Sequence, residues 1–251
     1  MTTILILGSA PNAVECRAWA HMPFNAIVAI NNAHALRPDW THAIHPWDFP
    51  KDRIAQPGPG QRLVTETEFV PAQNAFGGFV YAGGTMAFTA GYWALHALKP
   101  RCIAYFGCDM HYPRSGPTHF YGTGTPDPLR PDITLRSIEA KSARLMALAA
   151  RSGCRVVNLS TGPSRLVFPR ARRDELGQTA AWWSDGHAID HALAAQALRR
   201  EEMLNYHVPS GRYWQEAHRF DPAQIDALDA MWRATVIAEP APRLAAAARR
   251  A

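Results

Sequence analysis

Short apolar runs alternate along this chain with longer amphipathic stretches. Ile4–Leu7, Ala26–Ile30, Cys102–Phe106 and Arg155–Leu159 are compact runs rich in apolar side chains, and Thr41–His45 is one of mixed character. Runs of this length without alternation fit strands buried on both faces, as in a parallel sheet. Between them, Phe88, Tyr92, Leu95 and Leu98 recur at the spacing of one helical face, and Pro100 ends that helix. A second helix, from about Ser137 to Ser152, buries Ile138, Leu145, Leu148 and Ala149 before Gly153 stops it. Strand and helix alternate to about residue 160, which predicts an α/β fold: a Rossmann-like, doubly wound, mainly parallel sheet.

Two regions break the alternation. Pro50 to Asn74 carries PGPG at Pro57–Gly60 and reads as loop with one short strand at Arg62–Thr65. After Pro169 the strands cease. Ile189, Leu193, Ala197 and Leu204 mark one amphipathic helix, and Ile225, Leu228, Met231 and Trp232 mark another that Asp221 caps with Pro222 at its first position. We therefore expect a nucleotide-binding domain over residues 1–169 and a C-terminal helical extension over 170–251. Trp182, Trp183, Tyr206, Tyr213 and Trp214 give that extension aromatic surface for packing on the core or on a second copy of the chain, as a homo-oligomer.

Composition narrows the function classes. With 251 residues and 47% apolar side chains the chain can bury a full core. A formal charge of +5 suits an anionic ligand but falls short of a nucleic-acid-binding signature. The four cysteines are scattered, without zinc or disulfide spacing, which fits a reducing cytoplasm. No stretch approaches the roughly 20 apolar residues that span a bilayer, and the N-terminus reads as a first strand rather than a signal peptide. No GxSxG elbow, Walker loop or full GxGxxG is present.

Candidate chemistry collects at the carboxyl ends of the expected strands, where open α/β sheets bind ligands. Gly8, Ser9, Ala10, Pro11 and Asn12 turn the first strand into a helix whose free N–H groups suit a phosphate, or simply form an ordinary strand–turn–helix. Asn31 and Asn32 follow the second strand and offer amides to a base or ribose, or a cap to the next segment. Gly83, Gly84 and Thr85 open the central helix. Asp109 follows the Cys102–Phe106 strand, either fixing its own loop or holding a divalent ion with substrate phosphates. His119, in THFYGTG, is suited to proton exchange or to phosphate binding, and Tyr121 beside it would shield it from water. His187, Asp190 and His191 form HxxDH, but no third ligand is evident and no metal site is expected.

With ILGSAPN, AINNA, the glycine-started helix, IAYFGCDM, THFYGTG and VVNLSTGPSRLVFPR in place, residues from about 3 to 170 resemble the bacterial lipo-oligosaccharide sialyltransferases. They also resemble that group's phage-associated relatives and the 6-hydroxymethylpterin diphosphokinase family. The resemblance implies a CMP-type sugar nucleotide bound by Gly8 to Asn12, Asn31 with Asn32, and Gly83 to Thr85. It makes His119 catalytic and His111 or Tyr112 a phosphate contact; the residues themselves add Asp109 as a second catalytic candidate and Tyr121, with Thr123, near phosphate or substrate. Thr123 stands where the family has a second histidine, and Ser9 where it has an asparagine. The implied function is a nucleotide-dependent transferase, foremost a glycosyltransferase acting on a glycan acceptor. The alternatives are ATP-dependent diphosphate transfer, which would require Mg2+, and a non-catalytic nucleotide- or glycan-binding protein of phage origin.

Overall fold

The structure is a computed structural model that describes residues 2–112, 115–124, 130–176 and 189–237. Six strands, β1 (Thr3–Leu7), β2 (Ala26–Ile30), β3 (His42–Ile44), β4 (Arg62–Val64), β5 (Cys102–Phe106) and β6 (Arg155–Asn158), form one sheet in the order β4-β3-β2-β1-β5-β6. Every pairing is parallel. This is the expected Rossmann-like α/β architecture, and its topological switch point lies between β1 and β5.

Side chains alternate across the sheet into two apolar layers, since successive residues of a strand point to opposite faces. Ile4, Ile6, Val28, Ile30, Ile103 and Tyr105 enter one layer. Leu5, Leu7, Ile27, Ala29, Cys102, Ala104 and Phe106 enter the other. The first layer is roofed by the helices α1 (Glu66–Asn74), α2 (Phe79–Ala82), α3 (Met86–Ala97), α4 (Ile138–Arg151), α5 (His191–Leu204) and α6 (Pro222–Ala234). The second is covered, among the described residues, by 3-10 segments and loops. Ala13 and Cys16 of Pro11–Ala18 and Ala33 and Leu36 of Asn31–Leu36 plug it with small side chains. The buried Arg37 guanidinium ties these segments together, donating to the carbonyls of Cys16 at 2.7 Å and Trp19 at 2.9 Å.

Several local expectations change. The segment after the first turn is 3-10 rather than α, with Ala13 and Cys16 buried and Val14 exposed. The stretch before Asn74, read as loop after its short strand, contains α1. Glu66 and Glu68 favour the first turn of that helix electrostatically, and Pro71 within it masked the helical pattern in the sequence. The central helix α3 is buried nearly all round, not along one face. Thr85 caps it as expected, its hydroxyl accepting from the Phe88 N–H at 3.3 Å.

The helical extension is built into the first layer. Arg144 of α4 donates to Glu201 of α5 through Nε and Nη2 at 2.7 Å, and Trp232 of α6 donates to the same carboxylate at 2.8 Å. Lys141 and Asp229 form a second buried pair at 2.8 Å. Breaking either pair would leave a buried charge uncompensated, so both fix how α5 and α6 lie on α4. Tyr206 and Tyr213 pack into this layer; Trp182 and Trp183 lie outside the described residues. No helix among the described residues is long and apolar enough to cross a membrane.

Candidate functional site

At the switch point the chain leaves β1 for one face of the sheet and β5 for the other, and the two exit turns meet. Gly8 N–H donates to the Phe106 carbonyl at 2.8 Å, and Ala10 N–H to that of Gly107 at 3.0 Å. A Cβ on Gly8 would stand 2.3 Å from the Gly107 oxygen and 2.5 Å from Cys108 Sγ. Gly8 therefore serves backbone-to-backbone closure of the seam. The loop with His119 closes over it, Phe120 N–H donating to the Ser9 carbonyl at 2.9 Å. Pro11 has no N–H and that of Ala10 is engaged, so an anion at this turn would depend on the N–H groups of Ser9 and Asn12.

Asp109 is buried beneath that seam. Asn158 Nδ2 donates to its Oδ1 at 2.9 Å, Asn12 Nδ2 approaches Oδ2 at 3.5 Å, and the Arg170 guanidinium lies 3.8 Å away. Its carbonyl accepts from Arg165 N–H at 2.9 Å. Asn12 also donates to Ser160 Oγ at 3.2 Å, and Asn158 Oδ1 accepts from Ser160 N–H at 2.9 Å. Thus one carboxylate fastens the turns after β1, β5 and β6 into a single polar cluster. Asn158 and Ser160 were not singled out from the sequence; an asparagine ending an otherwise apolar strand was the available signal.

His119 sits in a tight turn closed by paired backbone bonds with Gly122 at 3.0 and 3.1 Å. Its Nδ1 lies 2.9 Å from Thr118 Oγ1, which also accepts from Gly124 N–H at 3.1 Å. The ring stacks on Tyr121 at 4.9 Å and is tilted against Tyr112 at 6.3 Å. Burial lowers its pKa, so the imidazole is neutral at pH 7. His111 and Thr123 are exposed.

A second region opens beyond β2, β3 and β4: a cleft of ≈ 1060 Å³. Asn31, Gly84 and Thr89 are among its lining residues. Asn31 has a φ of 51°, and its buried Oδ1 has no hydrogen-bond partner. Asp132 organises the lining around Gly84. It accepts from Thr134 N–H at 2.7 Å, Thr134 Oγ1 at 2.6 Å, Tyr213 Oη at 2.8 Å and Arg130 Nε at 3.2 Å. Burial opposes the ionised carboxyl, but the bonds from Thr134 and Tyr213 and the charge of Arg130 outweigh it and hold the pKa below the ordinary value. Thr134 Oγ1 in turn accepts from Gly84 N–H at 2.9 Å, and Arg130 donates to the Gly84 carbonyl at 3.2 Å. The glycine entry to α3, the 130–134 segment and the C-terminal extension thus converge on one carboxylate. Trp47, Phe49, Phe79 and Trp214 also line the cleft, Phe79 and Trp214 packing on Tyr213.

The expected nucleotide-binding residues consequently fall into two groups. Asn31 and Gly84 line the cleft, with Thr85 buried behind them as the cap of α3 and Gly83 packed against Phe88 and Lys141. Asn32 is half-buried in the following 3-10 segment. Gly8 to Asn12 and Asp109 form the seam, with His119, Tyr112 and Tyr121 in the loop over it, and none of these lines the cleft. Asp132, Arg130 and the extension's Tyr213 escaped sequence reading because they come together only through the fold. In the HxxDH stretch Asp190 caps α5 by accepting from Ala192 and Leu193 N–H at 2.9 Å, His191 begins the helix, and His187 lies outside the described residues. Among the described residues no three His, Cys, Asp or Glu side chains are grouped to hold a metal. No protein-family model, curated protein or solved structure matches this chain.

Proposed function

We propose that this protein is a nucleotide-dependent transferase of the glycosyltransferase type, with the cleft over β2 to β4 as its nucleotide-sugar site. The observation that carries the proposal is that two residues expected from the sequence line this cleft, Gly84 bonded by Arg130 and Asn31 with an unpartnered amide oxygen, at the carboxyl edge of a parallel sheet. The Asn31 Oδ1 accepts from an amino or hydroxyl group of the nucleoside, and Arg130 lies where it can meet phosphate. The resemblance of residues 3–170 to the lipo-oligosaccharide sialyltransferases supports a CMP-type donor. The base is the resemblance's His119, which stands over the seam and outside the cleft lining with Nδ1 2.9 Å from Thr118 Oγ1, so this step requires the sugar end of the donor to extend from the cleft to the switch point. The acceptor oxygen then bonds to the sugar carbon while the nucleotide departs with the bond's electron pair.

A thermal-shift panel of CMP, UDP, GDP and ATP, with and without Mg2+, tests the donor. Ligand at a hundred times its dissociation constant raises stability by about 2.7 kcal/mol. A selective cytidine response supports the proposal; a Mg2+-dependent ATP response replaces it with diphosphate transfer. Release of CMP from a CMP-sugar, abolished in His119→Ala with the melting temperature kept, supports the base role. A second reading, nucleotide or glycan binding without turnover, is favoured by one observation: both Asp109 carboxylate oxygens are already engaged by amides within the fold. Binding with no CMP release identifies that case.

A further inference from the structure

We infer that a second cavity, on the helical layer, is a binding site for a free α-amino acid with an apolar side chain. The ends of α4 and α5 and the joint between α1 and α2 border a space of ≈ 580 Å³, within the roughly 300–1,000 Å³ of small-ligand pockets. It shares no lining residue with the cleft, so the inference does not rest on the nucleotide reading. Its floor is the buried pair of Arg144 and Glu201, and Phe76, Tyr81, Leu148 and Leu198 give it apolar walls. Gly77 and Gly78, both at positive φ, bring the backbone close to both sides: a Cβ on Gly77 would stand 3.0 Å from Arg144 Nη2, and one on Gly78 2.9 Å from His207 Cδ2. The His207 ring is thereby held in the lining, and its Nε2 is buried without a hydrogen-bond partner. A buried polar atom left unpaired is costly, and beside an open cavity it marks where a ligand supplies the partner.

The charges of the lining name the ligand. Besides His207, its ionisable side chains with a formal charge are Arg144, Arg151, Glu201 and Glu202. Arg144 and Glu201 neutralise each other in the floor. Arg151 of α4 and Glu202 of α5 are exposed and, among the described residues, make no ion pair. The opening therefore offers one cation and one anion, matching a zwitterion. Both helices also end here, with Ser152 after α4 and Asn205 after α5 in the lining, and the partial negative charge of a helix C-terminus favours an ammonium group. The ligand's ammonium meets Glu202 and the lone pair of His207 Nε2 in the Nδ1–H tautomer, and its carboxylate meets Arg151. Its side chain enters between Phe76, Leu148 and Leu198. A phosphate would face Glu202 and two helix C-termini, and a simple amine would leave Arg151 unused.

Isothermal titration of the full chain with L-phenylalanine and L-leucine tests the inference, with phenethylamine and 3-phenylpropionate as probes that keep one charge each. At least one amino acid should bind in the millimolar range or tighter, with each single-charge probe about tenfold weaker, the scale of one charge-assisted contact. Arg151→Met, Glu202→Gln and His207→Phe should each weaken the amino acid by about tenfold. The first two side chains are exposed, so those variants should keep the melting temperature. Arg151→Met should leave phenethylamine unchanged, and Glu202→Gln should leave 3-phenylpropionate unchanged. The inference is overturned if neither amino acid binds, if either single-charge probe binds as tightly as the amino acid, or if Arg151→Met and Glu202→Gln both bind it normally. Amino-acid binding without CMP binding upholds this site and removes the donor reading; CMP binding without amino-acid binding does the reverse.

Discussion

The two regions at the carboxyl edge of this sheet are built from similar polar residues and differ in what those residues do. Over β1, β5 and β6 the turns are fastened to one another: Gly8 abuts Gly107, and Asp109 is held by Asn158 and Asn12. Over β2 to β4 the turns stand apart, exposed indoles wall the opening, and the Asn31 amide oxygen is buried without a partner. A saturated polar cluster gives rigidity, whereas an unsaturated one beside open space gives a place for a ligand. On the proposed function, the switch-point cluster is the frame and the cleft is the site.

The sharpest way to break this comparison is at the seam. Gly8→Ala puts a methyl group 2.3 Å from a backbone oxygen that cannot swing aside, and should cost about 3 kcal/mol, read as a lower urea midpoint. At Gly84 the nearest atoms are side-chain ends, Thr134 Oγ1 at 2.7 Å and Tyr213 Oη at 2.8 Å, so Gly84→Ala should be milder in stability but should impair nucleotide binding. Equal losses in both variants would erase the distinction between frame and site.

Next in size is Asp109→Ala, which strands the Asn158 and Asn12 amides and should lower stability by about 2 kcal/mol while leaving cleft ligands bound. Loss of turnover at unchanged stability would instead make Asp109 a catalytic group.

Acid should act on both regions. Burial, with the charge of Arg62 added, lowers His42 of β3 to about 4, and burial also lowers His119. A histidine depressed in the folded state takes up its proton more readily once unfolded. The stability it confers is therefore complete above the ordinary value of about 6.5 and is lost as pH falls from there toward 4. Asp39, held at about 2 by Arg37, loses its contribution only below the usual carboxylate range. Urea midpoints should fall between pH 6.5 and 4, and His42→Gln should flatten that decline. The smallest effect belongs to Trp47→Ala, whose exposed ring should change stability by no more than about 0.5 kcal/mol. A larger loss would mean that Trp47 packs the frame and not a ligand.

Much of the frame was legible from residue pattern. The β1, β2 and β5 runs fell where expected because a strand buried on both faces leaves an unbroken apolar signature, and Thr85, Asp221 and Gly153 mark helix ends by local chemistry. Helix α1 was missed because Pro71 interrupts it, and the 3-10 cover of the second layer because short segments of small residues carry no period. Asn31 and Gly84 could be found as polar or glycine positions just after a strand and before a helix. Asp132, Trp47 and Trp214 could not.

The sequence by itself thus determined the parallel α/β sheet and the turns whose residues gather at its carboxyl edge. Those properties rest on spacing and capping, which act over a few residues. Only the tertiary structure decided that Asp109 fastens turns, that Tyr213 of the extension meets Asp132 beside Gly84, and that the two exposed tryptophans share one cleft. Tyr213 and Asp132 stand far apart along the chain, as do Trp47 and Trp214. Side chains so separated are neighbours only once the buried pairs between α4 and the last two helices have set where the extension lies.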